Sequence, residues 1–276
     1  MQRPAAGPRG RGDPRPPALV VALATVGVLF VALPLVALVV RAPWGAAPDL
    51  FDDPSVGDAL RLSLVCSLSA TAVAIVVGTP LAWLLARVDV PGRGLVRTLV
   101  TLSLVVPPVV SGVALLLAFG RRGLVGRYLY DWFGVQLPFS TVGVVLAETF
   151  VALPFLVLTL EGAFRSTDRR LEDAASTLGA SRWMTFRRVT VPAVAPSMLA
   201  GSLLAWARAL GEFGATVTFA GNFPGRTQTM PLTVYLALES DPDAAILLSL
   251  VLVAVSFLVL LGMRERWIGA LGGRAT

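Results

Sequence analysis

Arg208 and Glu212 stand four residues apart in an apolar run, a spacing that sets a cation and a carboxylate on one face of a helix. Such a pair can neutralise itself and lock a helix against its neighbours, or the guanidinium can face an anion; the first reading is favoured. Glu148, inside another apolar run, is a further buried charge and a candidate second partner for Arg208. A carboxylate is a poor ligand for an anion, so neither Glu is assigned anion contact. Arg226, Thr227, Gln228 and Thr229 join a cation to several hydrogen-bond donors after Pro224-Gly225. They could receive an anion, contact another protein, or cap a turn, and the sequence leaves all three open. Asp52-Asp53 is the best metal-binding pair, but it adjoins Pro54 without a second acidic cluster and reads as a solvated turn.

Other chemistry is excluded by missing residue types. All 23 basic residues are Arg, and there is no His. A phosphate-binding loop of the Walker type needs its Lys, so the chain cannot carry that ATP site, and zinc motifs built on paired His are equally impossible. The single cysteine, Cys66, has no partner for a disulfide and reads as a small core residue. No catalytic residue, metal site or bound cofactor is assigned to the chain.

The elements that must position these residues are membrane helices. Of 276 residues 55% are hydrophobic and 14% charged, with a mean hydropathy of +0.77, more apolar surface than a soluble core of this size needs. Residues 1–17, rich in Pro, Gly and Arg, read as a flexible tail. The run Ala18 to Val40 is long for a signal-peptide core and reads as an uncleaved span. Further runs are Leu60 to Ala86, Leu95 to Phe119, Phe139 to Phe164, Ser197 to Ala220 and Ala244 to Met263, about six spans in all. Kinks are expected at Pro34, at Pro107-Pro108 and at Pro154. The spans form one transmembrane domain over 18–263, and 264–276 reads as a short tail.

Arginine placement orients the chain. With the amino terminus inside, the inner segments carry sixteen Arg and the outer ones five: Arg41, Arg121, Arg122, Arg127 and Arg226. Both termini are then cytoplasmic. Arg61 can snorkel from a helix end, which leaves Arg208 as the basic residue well inside a span. The net charge of +6 is a topology signal on this reading, not a nucleic-acid footprint.

The segment Arg165 to Pro196, between the fourth and fifth spans, is the long inner connection. Good helix formers run to Leu178, Gly179 ends or bends that helix, a second helix is possible from Ser181, and Pro192 reads as its stop. Two short helices meeting at a glycine make a compact knob.

Asp173-Ala174-Ala175, three residues, Gly179, nine residues and Val189-Thr-Val-Pro192 resemble the EAA loop of binding-protein-dependent ABC importers, EAA-x3-G-x9-I-x-L-P. The departures are Asp for Glu, Val for Ile and Val for Leu. The resemblance implies an all-α, type I ABC permease-like membrane protein whose loop, 165–196, holds the coupling helix. It implies a separate ATPase subunit that uses ATP and Mg, and, because such motors work in pairs, a permease homodimer. From Trp206 onward, GEFGAT at Gly211 to Thr216 and AGN-x-PGRTQT-x-PL from Ala220 to Leu232 are similar to molybdate and tungstate permeases. The implied substrate is a tetrahedral oxyanion, delivered by an extracytoplasmic binding protein to the inner membrane of a prokaryote. A sulfate or thiosulfate permease is the alternative, and an ion-coupled secondary transporter is the alternative from another class.

Overall fold

The computed structural model describes residues 17–272 apart from residue 90, with side chains up to Leu261. The expected tail at 1–17 lies outside the described residues except for Pro17, as do Arg3, Arg9, Arg11, Arg15 and Arg274. Helix α1 (Ala18–Arg41) belongs to a compact unit of its own and keeps Pro34 in its interior. At 1.5 Å per residue its length is about 36 Å, enough to cross a hydrocarbon core.

The second unit follows in chain order as α2 (Ala47–Phe51), α3 (Pro54–Arg87), α4 (Arg93–Val105), α5 (Pro108–Phe119), α6 (Gly126–Phe133), α7 (Thr141–Ser166), α8 (Arg170–Thr177), α9 (Arg182–Thr185), α10 (Val191–Ala193), α11 (Ala195–Leu210), α12 (Gly214–Ala220), α13 (Met230–Ser240) and α14 (Pro242–Gly272). Helix starts follow local chemistry. Asp53 accepts the Ser55 N–H at 2.9 Å with Pro54 at the first helical position and so caps the start of α3, while Asp52 ends α2. Ser140 likewise accepts the Gly143 N–H at 3.0 Å and opens α7.

Helices α3, α7 and α11 form the core. Ala70, Ala74, Ala82, Leu85, Ala152, Leu156, Leu160, Phe164, Ala205 and Ala209 are buried together. Alanines let the backbones approach closely, which suits association in a solvent as apolar as the side chains themselves. Several hydroxyls on these helices bond back to their own helix, as where Thr71 donates to the Ser67 carbonyl at 2.7 Å. Cys66 is fully buried with Val144 and Ala220, the small core residue its surroundings imply.

Two expected spans are broken. The run Leu95 to Phe119 becomes α4 and α5, because Val106 and Pro107 are extended (ψ 128° and 138°) as residues preceding proline tend to be. The run Ser197 to Ala220 becomes α11 and α12, separated at Gly211–Phe213. The breaks meet. A methyl placed on Gly214 would lie 2.7 Å from the Pro108 Cβ, and one on Gly112 would lie 2.5 Å from the Thr218 Cβ, so α5 and α12 touch where glycine alone fits.

In consequence, four helices among the described residues are individually long and apolar enough to span: Ala18–Arg41, Pro54–Arg87, Thr141–Ser166 and Pro242–Leu261. The stretch Arg182–Ala193 with Ala195–Leu210, bent by 72°, would make a fifth. Helix α14 also continues to Gly272, past the boundary expected at Met263. Between α12 and α14, in the connection outside the expected spans, the chain inserts α13.

Candidate functional site

The segment 165–196 is a structured knob. Asp168 accepts the Arg170 N–H at 2.9 Å, and Glu172 and Asp173 occupy the first turn of α8, where carboxylates favour the positive end of the helix dipole. The helix ends in a Schellman motif: the Ala180 N–H reaches the Ala175 carbonyl and the Gly179 N–H the Ser176 carbonyl, both at 3.0 Å. Gly179 has φ +83°, a value that costs other residues strain. A Cβ there would touch nothing, so Gly179 is required for the turn itself and not for close packing.

Ser181 then caps α9 by accepting the Met184 N–H at 3.2 Å. Pro192 does not stop this helix. A π turn, Phe186–Thr190, precedes it, and helix continues through α10 to the bend at Val194. The wider turn accommodates a proline that lacks an N–H and crowds the carbonyl one turn back. Asp173 and Ala174 are exposed, Ala175 and Val189 are half-buried, and Pro192 is exposed. Around them Leu171, Leu178, Trp183 and Met184 are exposed, Leu178 at 88%.

The knob is fastened by residues that local sequence patterns do not reveal. Arg87, ending α3, donates to the Thr167 carbonyl at 2.9 Å and lies 3.4 Å from Glu172, while Thr190 donates to Glu172 at 3.1 Å. Nearby, buried Glu161 pairs with Arg97 of α4 and, at 2.9 Å, with Arg165. Glu161 carries a legible signal, a carboxylate inside an apolar run four residues before an arginine, whereas its link to Arg97 spans 64 residues.

The intramembrane pair forms as its spacing implies, with Arg208 and Glu212 2.6 Å apart. Glu212 nevertheless lies beyond the end of α11, in the break, and its other oxygen accepts the Ala215 N–H at 2.8 Å. The carboxylate therefore closes one helix and starts the next. Glu148 is 1% exposed, its Oε2 has no hydrogen-bond partner, and among the described residues Arg208 pairs with Glu212 and not with Glu148.

At the opposite end of α7 from the knob, Arg226 to Gln228 close a tight turn. The Phe223 carbonyl accepts the N–H groups of Arg226, Thr227 and Gln228, and the buried Thr227 hydroxyl accepts the Phe223 N–H at 2.9 Å. Arg226 is exposed, and its carbonyl receives the Thr141 hydroxyl at 2.9 Å. Thr229 is buried at the start of α13, and Gln228 is half-buried. Thr227 is thus occupied with the turn, and Arg226 is the exposed charge.

Residues 78–269 match the family described as the binding-protein-dependent transport system inner membrane component. The chain belongs to this family. As an inner membrane component it is a multi-pass protein of the inner membrane, in keeping with its apolar helices. The molybdenum transport system permease protein ModB of Mycobacterium tuberculosis is 50% identical over 247 residues, covering 88% of this chain and 92% of the relative. The sulfate transport system permease protein CysT of Salmonella typhimurium is 34% identical over 236 residues, covering 84% and 85%. The fold of this inner membrane component is also that of a chain in the crystal structure of a bacterial ABC transporter involved in the import of the acidic polysaccharide alginate (TM-score 0.74, 17% identity, 91% and 93% coverage).

Proposed function

We propose that the chain is the permease subunit of an ATP-driven importer of a tetrahedral oxyanion, molybdate or tungstate. The observation that carries the substrate is the 50% identity with a molybdenum permease along 88% of the chain, against 34% with a sulfate permease. Family membership supports ATP hydrolysis in a separate subunit, so the chain itself is no enzyme and holds no cofactor. An extracytoplasmic binding protein supplies the anion, and two copies of the chain form the pathway.

On this reading both termini and the knob at 165–196 are cytoplasmic. Asp173, Ala174, Ala175, Gly179, Val189 and Pro192 belong to the surface that meets the ATPase, and the exposed Leu171, Leu178, Trp183 and Met184 give that surface its apolar area. The Arg208 and Glu212 pair is structural, since both oxygens of Glu212 are engaged. Arg226 and Gln228 stand at the outer entrance, with Thr227 holding their turn and Thr229 at the start of α13. The spans form one domain over 18–263, flanked by tails.

The test is ATP hydrolysis by the complete reconstituted complex. Binding protein loaded with molybdate or tungstate should raise the rate above that of the empty protein. Stimulation by a sulfate-loaded protein alone would reject the substrate and leave the importer standing.

A further inference from the structure

The last two turns of α3 carry Trp83 and Arg87 four residues apart, and both reach the knob. The Arg87 side chain is 6% exposed. Its Nη2 touches the knob at its entrance, the Thr167 carbonyl, and at its first helix, the Glu172 carboxylate. Glu172 in turn accepts from Thr190, 2% exposed, in the π turn by which the chain leaves. One cation therefore ties entrance, middle and exit to a single point on α3. Trp83 supplies a second strut, its ring edge-on to Phe186 at 5.6 Å, with Phe186 stacked on Trp183 at 5.8 Å.

Between the struts lies an open cavity of about 630 Å³, lined by Pro80, Arg169, Asp173 and Arg182 as well as by the strut residues. The knob is thus joined to α3 by two side-chain bridges across a void, not by a filled core. A void leaves room for tilt, and beside the chain's own connections to α7 and α11 the bridges are the route by which a displacement of the knob reaches α3. Because α3 packs against α7 and α11, displacement at Arg87 reaches the membrane core. The ion pair at 3.4 Å, with the Arg87 side chain almost out of water, resists separation of the knob from α3 over a longer range than the ring contact does.

We propose that Arg87 is a positioning residue for transport, transmitting movement of the 165–196 knob to α3 through Glu172. It contacts neither nucleotide nor anion. The proposal rests on the reading of the chain as an importer permease. It adds to that reading a named link on the membrane side of the knob.

The test uses the complete complex of this chain, its ATPase and its binding protein, reconstituted in lipid vesicles. The readouts are ATPase retained on purification, basal hydrolysis, and molybdate moved per ATP hydrolysed. Arg87→Met should keep the ATPase and basal hydrolysis while the ratio falls by about tenfold, within the usual range of coupling free energies. Arg87→Lys should recover part of it, because an ammonium still reaches Glu172. Glu172→Gln, which keeps the acceptor for Thr190 and removes the charge, should lower the ratio without loss of assembly even if Arg87→Met does not fold. A wild-type ratio in Arg87→Met or Glu172→Gln, or equal loss of assembly in Arg87→Met, Arg87→Lys and Glu172→Gln, would overturn the proposal. A wild-type complex that ignores loaded binding protein would instead overturn the importer reading.

Discussion

Glu212 holds Arg208 at 2.6 Å with one oxygen and the Ala215 N–H at 2.8 Å with the other, although it lies in the break between α11 and α12. One carboxylate therefore neutralises a membrane-depth cation and stabilises a helix start whose backbone would otherwise lack a partner.

We predict that Arg208→Gln destabilises the protein by about 3 kcal/mol, because it strands a carboxylate that is 1% exposed. The double variant Arg208→Gln with Glu212→Gln should regain most of the loss, since the Gln oxygen still accepts from Ala215. Arg208→Gln with Glu212→Ala should not. Thermal unfolding in detergent reads the series, and a stable Arg208→Gln that has lost anion transport would place Arg208 in the pathway instead.

Topology gives a second prediction, motivated by the distribution of Arg. Cys66 is fully buried and gives little background labelling. In intact cells a cysteine in place of exposed Ser176 should resist a membrane-impermeant thiol reagent, while one at Arg226 should react. The reverse pattern would invert the assignment of the knob to the cytoplasm.

Gly179 separates conformation from packing. Since φ is +83° and no atom crowds the site, Gly179→Val should cost about 1–3 kcal/mol locally, whereas Gly179→Asn, which tolerates the left-handed region, should cost less. Anion uptake should follow the same order at equal membrane insertion. Equal uptake by the two variants would mean that the turn geometry does not matter to transport.

At the crossing of the two breaks the constraint is steric. Gly112→Ala would set a methyl 2.5 Å from the Thr218 Cβ and 3.0 Å from the Ala215 carbonyl, and should lower stability by about 1–3 kcal/mol. The matched change Gly162→Ala, where nothing lies within 4 Å, should be neutral or stabilising. Equal unfolding temperatures for the two would contradict the close approach of α5 and α12.

Features of this protein that depend on neighbours in sequence were legible there. The end of α8 at Gly179, the cap at Ser181 and the ion pair at 208 and 212 all follow from chemistry within four residues. Features that depend on distant partners were not. Arg87 reaches Thr167 across 80 residues and Arg97 reaches Glu161 across 64, and no local pattern announces such pairs. The breaks fall between these cases: Pro107-Pro108 signals a kink in the sequence and separates two helices in the structure, and Gly211–Phe213 has no proline to mark it. Pro192 misled in the other direction, because the π turn before it lets the helix continue. Helix α13 is too short and too mixed to stand out as an apolar run, although Pro231 in its first turn is a local start signal.

The central claim is that this chain forms the membrane path of an ATP-driven oxyanion importer, and uptake by sealed vesicles tests it most directly. Vesicles containing the chain with its ATPase, supplied with ATP on the ATPase side and loaded binding protein on the other, should accumulate labelled molybdate. Accumulation should stop when ATP is replaced by a non-hydrolysable analogue and persist when ion gradients are collapsed. Accumulation driven by an ion gradient without ATP, or its absence despite ATP hydrolysis stimulated by loaded binding protein, would contradict the account.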